Sequence, residues 1–222
     1  MNLLMMTEGA MDAASSQMSL WQLFNAGGWL MWVLLILGGV TIFIFVERFV
    51  AIQRATRLDM HFMNRIRSYV LDGKVKDAMA FCHHENTPIA RMIEKGLERL
   101  GRPMSDVQSA IENVANLEVS KLENGLPFLA TIAGGAPMIG FLGTVLGMVQ
   151  TFFNMAQNAS GVIEISTLSE GMYQAMVTTV GGLIVGILAM FAYNFLVSRI
   201  DRVVRQLEAR TMEFMDLLNE PV

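Results

Sequence analysis

"LPFLATIAGGAPMIGFLGTVLGMVQTFFNM", residues 126–155, carries no charged side chain. It has two readings, and the fold depends on which is right. It is either one helix crossing a membrane or two short helices folded back at residues 134–137, "GGAP". Glycine and proline favour the fold-back locally. A bilayer core needs about 20 apolar residues, which favours a single crossing.

Charges elsewhere in the chain decide between them. Two further uncharged stretches lie between Asp12 and Glu47, with an apolar core at residues 27–46, and between Glu170 and Arg199, covering residues 171–198. With spans at 27–46, 126–155 and 171–198, residues 1–26 and 156–170 share one side. Residues 47–125 and 199–222 share the other. All sixteen Lys and Arg fall on that second side, twelve from Arg48 to Lys121 and four from Arg199 onward. A hairpin at 134–137 would send the four tail arginines to the opposite face. The positive-inside rule therefore selects three spans, with the N-terminus outside and the C-terminus inside. No Lys or Arg precedes the first span, so it is expected to be retained rather than cleaved as a signal sequence.

Composition agrees. Hydrophobic residues are 53% of the 222 and charged residues 16%, with a mean hydropathy of +0.45, which is membrane-class usage. The single cysteine, Cys82, excludes a disulfide within the chain. The formal charge of −4 is strongly segregated, and no long basic run suggests nucleic acid as a partner. Nineteen methionines fit adaptable apolar packing.

The segment 47–125 is predicted to be a cytoplasmic helical domain. After the Asp72-Gly73 turn signal, Val75, Ala78, Met79 and Cys82 fall at i, i+3, i+4 and i+7. Thr87-Pro88 breaks that helix. Ile89, Met92, Ile93, Leu97 and Leu100 then form a second apolar stripe, stopped by Gly101 and Pro103. Ser105 to Gln108 fits a capping box. No strong breaker is expected before Pro127, so the helix entering the second span should begin well inside the cytoplasm. Thr167 to Glu170 repeats the capping pattern ahead of the third span. Beyond Arg199, Ile200, Val204, Leu207, Thr211, Phe214 and Leu218 alternate steps of four and three, a coiled-coil-like seam. The fold class is all-α, an integral membrane protein whose second and third spans extend as long helices into the cytoplasm, ending in a helix over 199–222.

Candidate chemistry is sparse. Cys82-His83-His84 is too tightly spaced for a zinc site, whose ligands are usually separated by two to four residues. A packed cysteine beside two solvated histidines is the expectation. Glu47 and Arg48, with Arg199, sit at inner membrane boundaries, where charges avoid most of the desolvation cost. No catalytic constellation is present, so an enzyme is disfavoured and no metal or cofactor is implied. The apolar cores of the spans hold no acid, base or histidine.

Their polarity is neutral and uneven. The second span holds Thr131, Thr144, Gln150, Thr151 and Asn154; the third holds Gln174, Thr178, Thr179 and Asn194. Glycines accompany them: Gly140, Gly143 and Gly147, then Gly181, Gly182 and Gly186. The four-residue steps Gly143–Gly147 and Gly182–Gly186 are small-residue spacings that let helix backbones approach closely. The first span holds only Thr41 among bulky apolar residues. Simple helix-packing glue would account for much of this, since threonine can bond to its own helix. The asymmetry favours spans two and three lining something together, with span one outside them.

Two stretches resemble a known family, the proton-channel subunits ExbB, TolQ and MotA. "LATIAGGAPMIGFLGTVLGMVQTF" (129–152) is similar to its signature, Ala-Pro followed by Gly-x-x-Gly-Thr-Val-x-Gly-Met. "AMVTTVGGLIVGILAMFAYN" (175–194) is similar to its third-span motif, and "DGKVKDAMAFC" to its short cytoplasmic helix. Three spans in this order look like ExbB, with TolQ next, rather than the four-span MotA.

The resemblance implies a multi-pass energy transducer of the bacterial inner membrane. Five such subunits would surround a dimer of a single-span ExbD-like or TolR-like protein that carries a membrane aspartate, with a TonB-like protein as a further partner. The ion implied is H+. By motif position Thr144 and Thr179 match the family's lumen threonines and Pro137 its proline, while Thr178 is the first of the threonine pair. Some members carry a glutamate where this chain has Gln174, so the partner's aspartate would supply the titrating carboxylate. An aspartate at mid-bilayer costs about 2.5–3.5 kcal/mol on insertion scales, which neutral hydroxyls can offset without trapping the charge. The alternatives are a TolQ-like subunit serving envelope integrity and constriction, and a passive oligomeric membrane scaffold.

Overall fold

A computed structural model describes residues 27–56, 61–157 and 165–219. The expected outer segment 1–26, residues 158–164 of the expected loop 156–170, and residues 220–222 lie outside these. The described residues form seven helices and no strand: α1 (Gly28–Ala55), α2 (Phe62–Leu71), α3 (Val75–Glu85), α4 (Pro88–Leu97), α5 (Met104–Glu123), α6 (Leu126–Gln157) and α7 (Ile165–Asn219). Three helical stretches are long and apolar enough to cross a membrane.

Residues 134–137 do not turn. α6 runs through them, with Pro137 inside the helix. An internal proline removes one backbone hydrogen bond, that to the carbonyl four residues back. The partner helix accommodates it, because a methyl added at Gly186 would meet the Pro137 ring at 2.6 Å and the Ala133 carbonyl at 3.1 Å.

The chain divides into two compact units. The first comprises described residues 27–40, 131–157 and 165–189. Its side-chain core is small: Leu34, Ile132, Ala136 and Ala189, with Met31, Leu37, Ala133, Ile139 and Val185 against them. Large apolar side chains point outward instead, among them Trp29, Phe141, Phe152 and Ile184. That is the inverse of a water-soluble bundle and suits a lipid surround, where apolar burial supplies no driving force between helices.

The second unit comprises residues 41–56, 61–130 and 190–219. Here the core is large, centred on Ile66, Met92, Ile93, Ile111, Leu207 and Phe214. The stripes predicted for α3 and α4 lie in it: Ala78, Cys82, Ile89, Met92, Ile93 and Leu97 are buried. Asp72-Gly73 turns with Gly73 at φ +71°. Thr87 caps α4, its hydroxyl accepting from the Ala90 N–H at 3.2 Å.

Four sequence expectations need correction. The helix leading to the second span is broken, not continuous. α5 ends at Glu123, and Gly125 takes φ +87° before α6 starts, so Asn124-Gly125 acts as the turn dipeptide it is. The capping box at Ser105 is absent, since α5 begins at Met104 with Pro103 in the cap position and no side-chain cap bond. Thr167 lies inside α7, which begins at Ile165. The seam of α7 is rotated: Ile200, Val203, Leu207, Phe214 and Leu217 are buried, while Val204, Thr211 and Leu218 are half-buried. A straight helix turns every 3.6 residues rather than 3.5. Phe214 is drawn onto bare backbone at Gly96, where an added methyl would lie 2.7 Å from the ring and 2.8 Å from Ile111.

Candidate ion-pathway site

Within the first unit, α6 and α7 touch through glycine. A methyl at Gly140 would come within 3.1 Å of the Gly182 Cα and the Thr178 carbonyl. One at Gly182 would come within 2.6 Å of the Ala136 carbonyl and 2.8 Å of the Gly140 Cα. Gly143 packs on Thr178, Gly147 on Ala175 and Gly186 on Pro137. Five of the six glycines singled out in the motifs therefore lie at the α6–α7 contact; the sixth, Gly181, faces α1, where an added methyl would meet the Met31 sulfur at 2.8 Å.

This close approach sets the threonines. Thr179 Oγ1 donates across the pair to the Gly140 carbonyl at 3.0 Å. Thr178, 2% exposed, shares its single donor between the Gln174 carbonyl at 3.0 Å and the Gly27 carbonyl at 3.2 Å. Thr144 bonds within its own helix, to the Phe141 carbonyl at 2.6 Å. Thr144 and Thr179 are thus one turn apart along α6, at residues 144 and 140, and no hydrogen bond joins the two side chains.

The chemical consequence is shared by all three. A hydroxyl has one donor and two acceptor lone pairs. Each of these threonines directs its donor at a backbone carbonyl, so the oxygen is left as an acceptor. Such a group receives a hydrogen bond from a protonated carboxyl or a hydronium. It offers a carboxylate nothing until it rotates.

Gln174 has an exposed side chain and lines a cavity of about 440 Å³ with Gln150, Thr151, Asn154, Glu170 and Thr178. α1 can start beside Gln174 only through Gly28, at φ +66°, where a Cβ would meet the amide nitrogen at 2.9 Å. Thr151, buried and bonded to the Gly147 carbonyl at 2.8 Å, fits against bare Gly171. Sequence reasoning missed Gly27, Gly171 and Glu170 as parts of this cavity. The signal for Glu170 was present in its four-residue spacing from Gln174 and Thr178.

The boundary charges lie in the second unit. Arg48 pairs with Glu47 at 2.5 Å and also donates to the Lys121 carbonyl at 3.1 Å, closing the end of α5, where a cation complements the helix dipole. The Arg199 guanidinium stacks 5.2 Å over the Phe195 ring. Deeper in the unit, Glu118 is buried between Arg91, which it binds with both oxygens, and Lys121 at 2.7 Å. Burial works to raise its pKa, but hydrogen bonds from Arg91 and Lys121 and their charges outweigh it, so the carboxyl lies below the usual range. Cys82 is fully buried, and burial, aided by Glu94, pushes its thiol up to about 12. Its neighbour His83 stays 85% exposed, 3.6 Å from Glu94.

Residues 84–209, which include the whole glycine contact and the threonines, match the family described as the MotA/TolQ/ExbB proton channel family. The chain belongs to that family. Among individual relatives, an ExbB homologue of biopolymer transport from Methanothermobacter thermautotrophicus is 28% identical over 84% of this chain and 66% of its own length. A TolQ protein of the Tol-Pal system from Haemophilus influenzae is 34% identical over 50% of this chain and 47% of its own. The biopolymer transport protein ExbB of Aquifex aeolicus is 35% identical over 47% and 69% respectively. The chain thus spans about half to two thirds of the length of the relatives it matches.

Proposed function

We propose that this chain is the channel-forming subunit of a proton-driven motor in a bacterial inner membrane, of the ExbB type. Several copies, five on the family pattern, form a ring around a dimer of an ExbD-like or TolR-like single-span partner. The N-terminus and the 156–170 loop face outward. The partner's membrane aspartate takes up and releases protons beside Thr144, Thr178 and Thr179, and the resulting motion energises outer-membrane transport through a TonB-like protein. The proposal contains no enzymatic step.

The observation that carries it is the donor-committed threonine set on a glycine-locked helix pair with no ionisable group in the apolar cores. Threonine oxygens left as acceptors favour the protonated form of a visiting carboxyl. Rotation of one hydroxyl away from its carbonyl frees a donor for the ionised form. The ring can then serve both protonation states while staying neutral, which a fixed cation could not. Hydroxyl rotation needs no movement of the backbone.

The test is proton flux and energised uptake in the complex purified with its partner. Thr144→Val with Thr179→Val is expected to abolish both while leaving assembly intact. Unchanged flux in that double variant would sink the proposal and support a passive scaffold. The TolQ relatives favour a second reading, a subunit for envelope constriction with the same chemistry. Uptake retained with failed constriction in a deletion strain would select it.

A further inference from the structure

The cavity at the end of the first unit where α1 and α7 begin and α6 finishes is built differently from the rest of that unit. Glu170, Gln174 and Thr178 are spaced by four on α7, so they lie along one line of the helix surface. At 1.5 Å per residue that line descends about 12 Å. Thr151 and Asn154 of α6 and the backbone of Gly27 also line the space. Among the described residues, Glu170 is the only ionisable side chain on its wall; no Lys, Arg or His lines it.

We infer that this cavity is a loading vestibule for a monovalent cation, with Glu170 as the collecting carboxylate at its mouth. The inference rests on the channel reading above and adds a site and a residue to it. The wall also carries Trp29, Leu30 and Leu146, and a single carboxylate among its carboxamide and hydroxyl groups gives a field of one sign, which concentrates cations in a cleft with low-dielectric walls. Oxygen ligands of this kind suit hard cations, and the neutral oxygens of Gln174 and Thr178 along the same line take the place of hydration water as the ion descends. At about 440 Å³ the space holds the ion together with several waters.

Among the described residues, the vestibule is closed on its inner side. Thr178 forms its inner wall at 2% exposure, and beyond it Gly140 and Gly182 bring the two backbones into contact. A cation that enters therefore waits at Gln174 and Thr178 until another group removes it. Glu170 sits one turn outward from Gln174, so this chain keeps a carboxylate on the line where Gln174 itself supplies none.

Hydronium and sodium share the required chemistry, and the experiment separates them. The complex with its partner is reconstituted in liposomes, and flux is followed against imposed gradients with a pH-sensitive dye in one arm and tracer sodium in the other. Glu170→Gln is expected to raise the concentration of the transported cation at half-maximal flux about fivefold, the factor for a unit charge roughly 4 Å away in bulk-like water, with maximal flux retained. Glu170→Asp restores most of the shift. An unmoved half-saturation point in Glu170→Gln overturns the inference. If the wild-type complex carries neither ion, the channel reading fails separately. The vestibule is then judged by carbodiimide labelling of Glu170 read by peptide mass spectrometry. Protection of Glu170 by sodium at fixed pH upholds it, and labelling insensitive to sodium overturns it.

Discussion

Gly182 and Phe214 stand on the same helix, α7, in different units, and each marks a close contact in its surroundings. At Gly182 backbone meets backbone, and even a methyl would lie 2.6 Å from the Ala136 carbonyl. At Phe214 a whole ring is buried in a large apolar core against Gly96 and Ile111. The first arrangement works by removing side chains, the second by inserting one. The difference follows from solvent. Lipid tails are as apolar as leucine, so helices in a membrane gain from close approach rather than from apolar burial. In water the buried area itself supplies stability, at about 25 cal/mol per Å². One helix therefore carries two design rules along its length.

The sharpest way to break this contrast is Gly182→Leu. It should separate α6 from α7 and abolish assembly and flux together, read by size-exclusion chromatography of the purified complex. Normal assembly would mean that the backbone contact is dispensable. Next, Phe214→Ala should lower stability by about 3–5 kcal/mol, the usual cost of emptying a core aromatic site, measured by chemical unfolding followed by circular dichroism. The first unit should keep its flux if the protein is held below its new midpoint.

Arg91→Ala should cost about 2 kcal/mol, below the usual range for broken buried pairs because Arg91 keeps about a third of its side chain in solvent. The same pair sets a pH dependence. Glu118 has a depressed folded-state pKa, so its contribution is full above the ordinary carboxylate range and fades as pH falls through the lower folded value. Glu118→Gln should flatten that acid limb, a result visible in midpoints taken at a series of pH values. The smallest effect belongs to Thr178→Val, about 0.6 kcal/mol for a lost hydrogen bond between membrane helices. A much larger loss would mean that the Gly27 carbonyl depends on Thr178 alone.

What the sequence made legible follows the same divide. Hydrophobic periodicity located the stripes of α3 and α4, because water sorts residues by face. The glycine motifs pointed to the α6–α7 contact, because only glycine allows such an approach. Three features stayed hidden for physical reasons. The rotation of the α7 seam depends on Gly96, distant in sequence, making room for Phe214. The cavity wall is partly backbone, the Gly27 carbonyl among it, and a carbonyl has no letter of its own. The donor direction of each threonine is set by the nearest backbone carbonyl rather than by residue type. The break at Asn124-Gly125, by contrast, was readable as a turn dipeptide and was outweighed by the apparent length of the helix.

The bond from Thr179 to the Gly140 carbonyl has a consequence for timing. With five glycines fixing α6 against α7, the pair has little freedom to part, and the movable element left at its surface is the hydroxyl rotor itself. Exposed side-chain torsions relax in picoseconds to nanoseconds, whereas collective helix motions take microseconds to milliseconds. A wall that resets so quickly sets no clock of its own. On the proposed channel reading, the pace of a cycle run past it belongs to whatever moves alongside, and the wall is ready again long before the next proton would arrive.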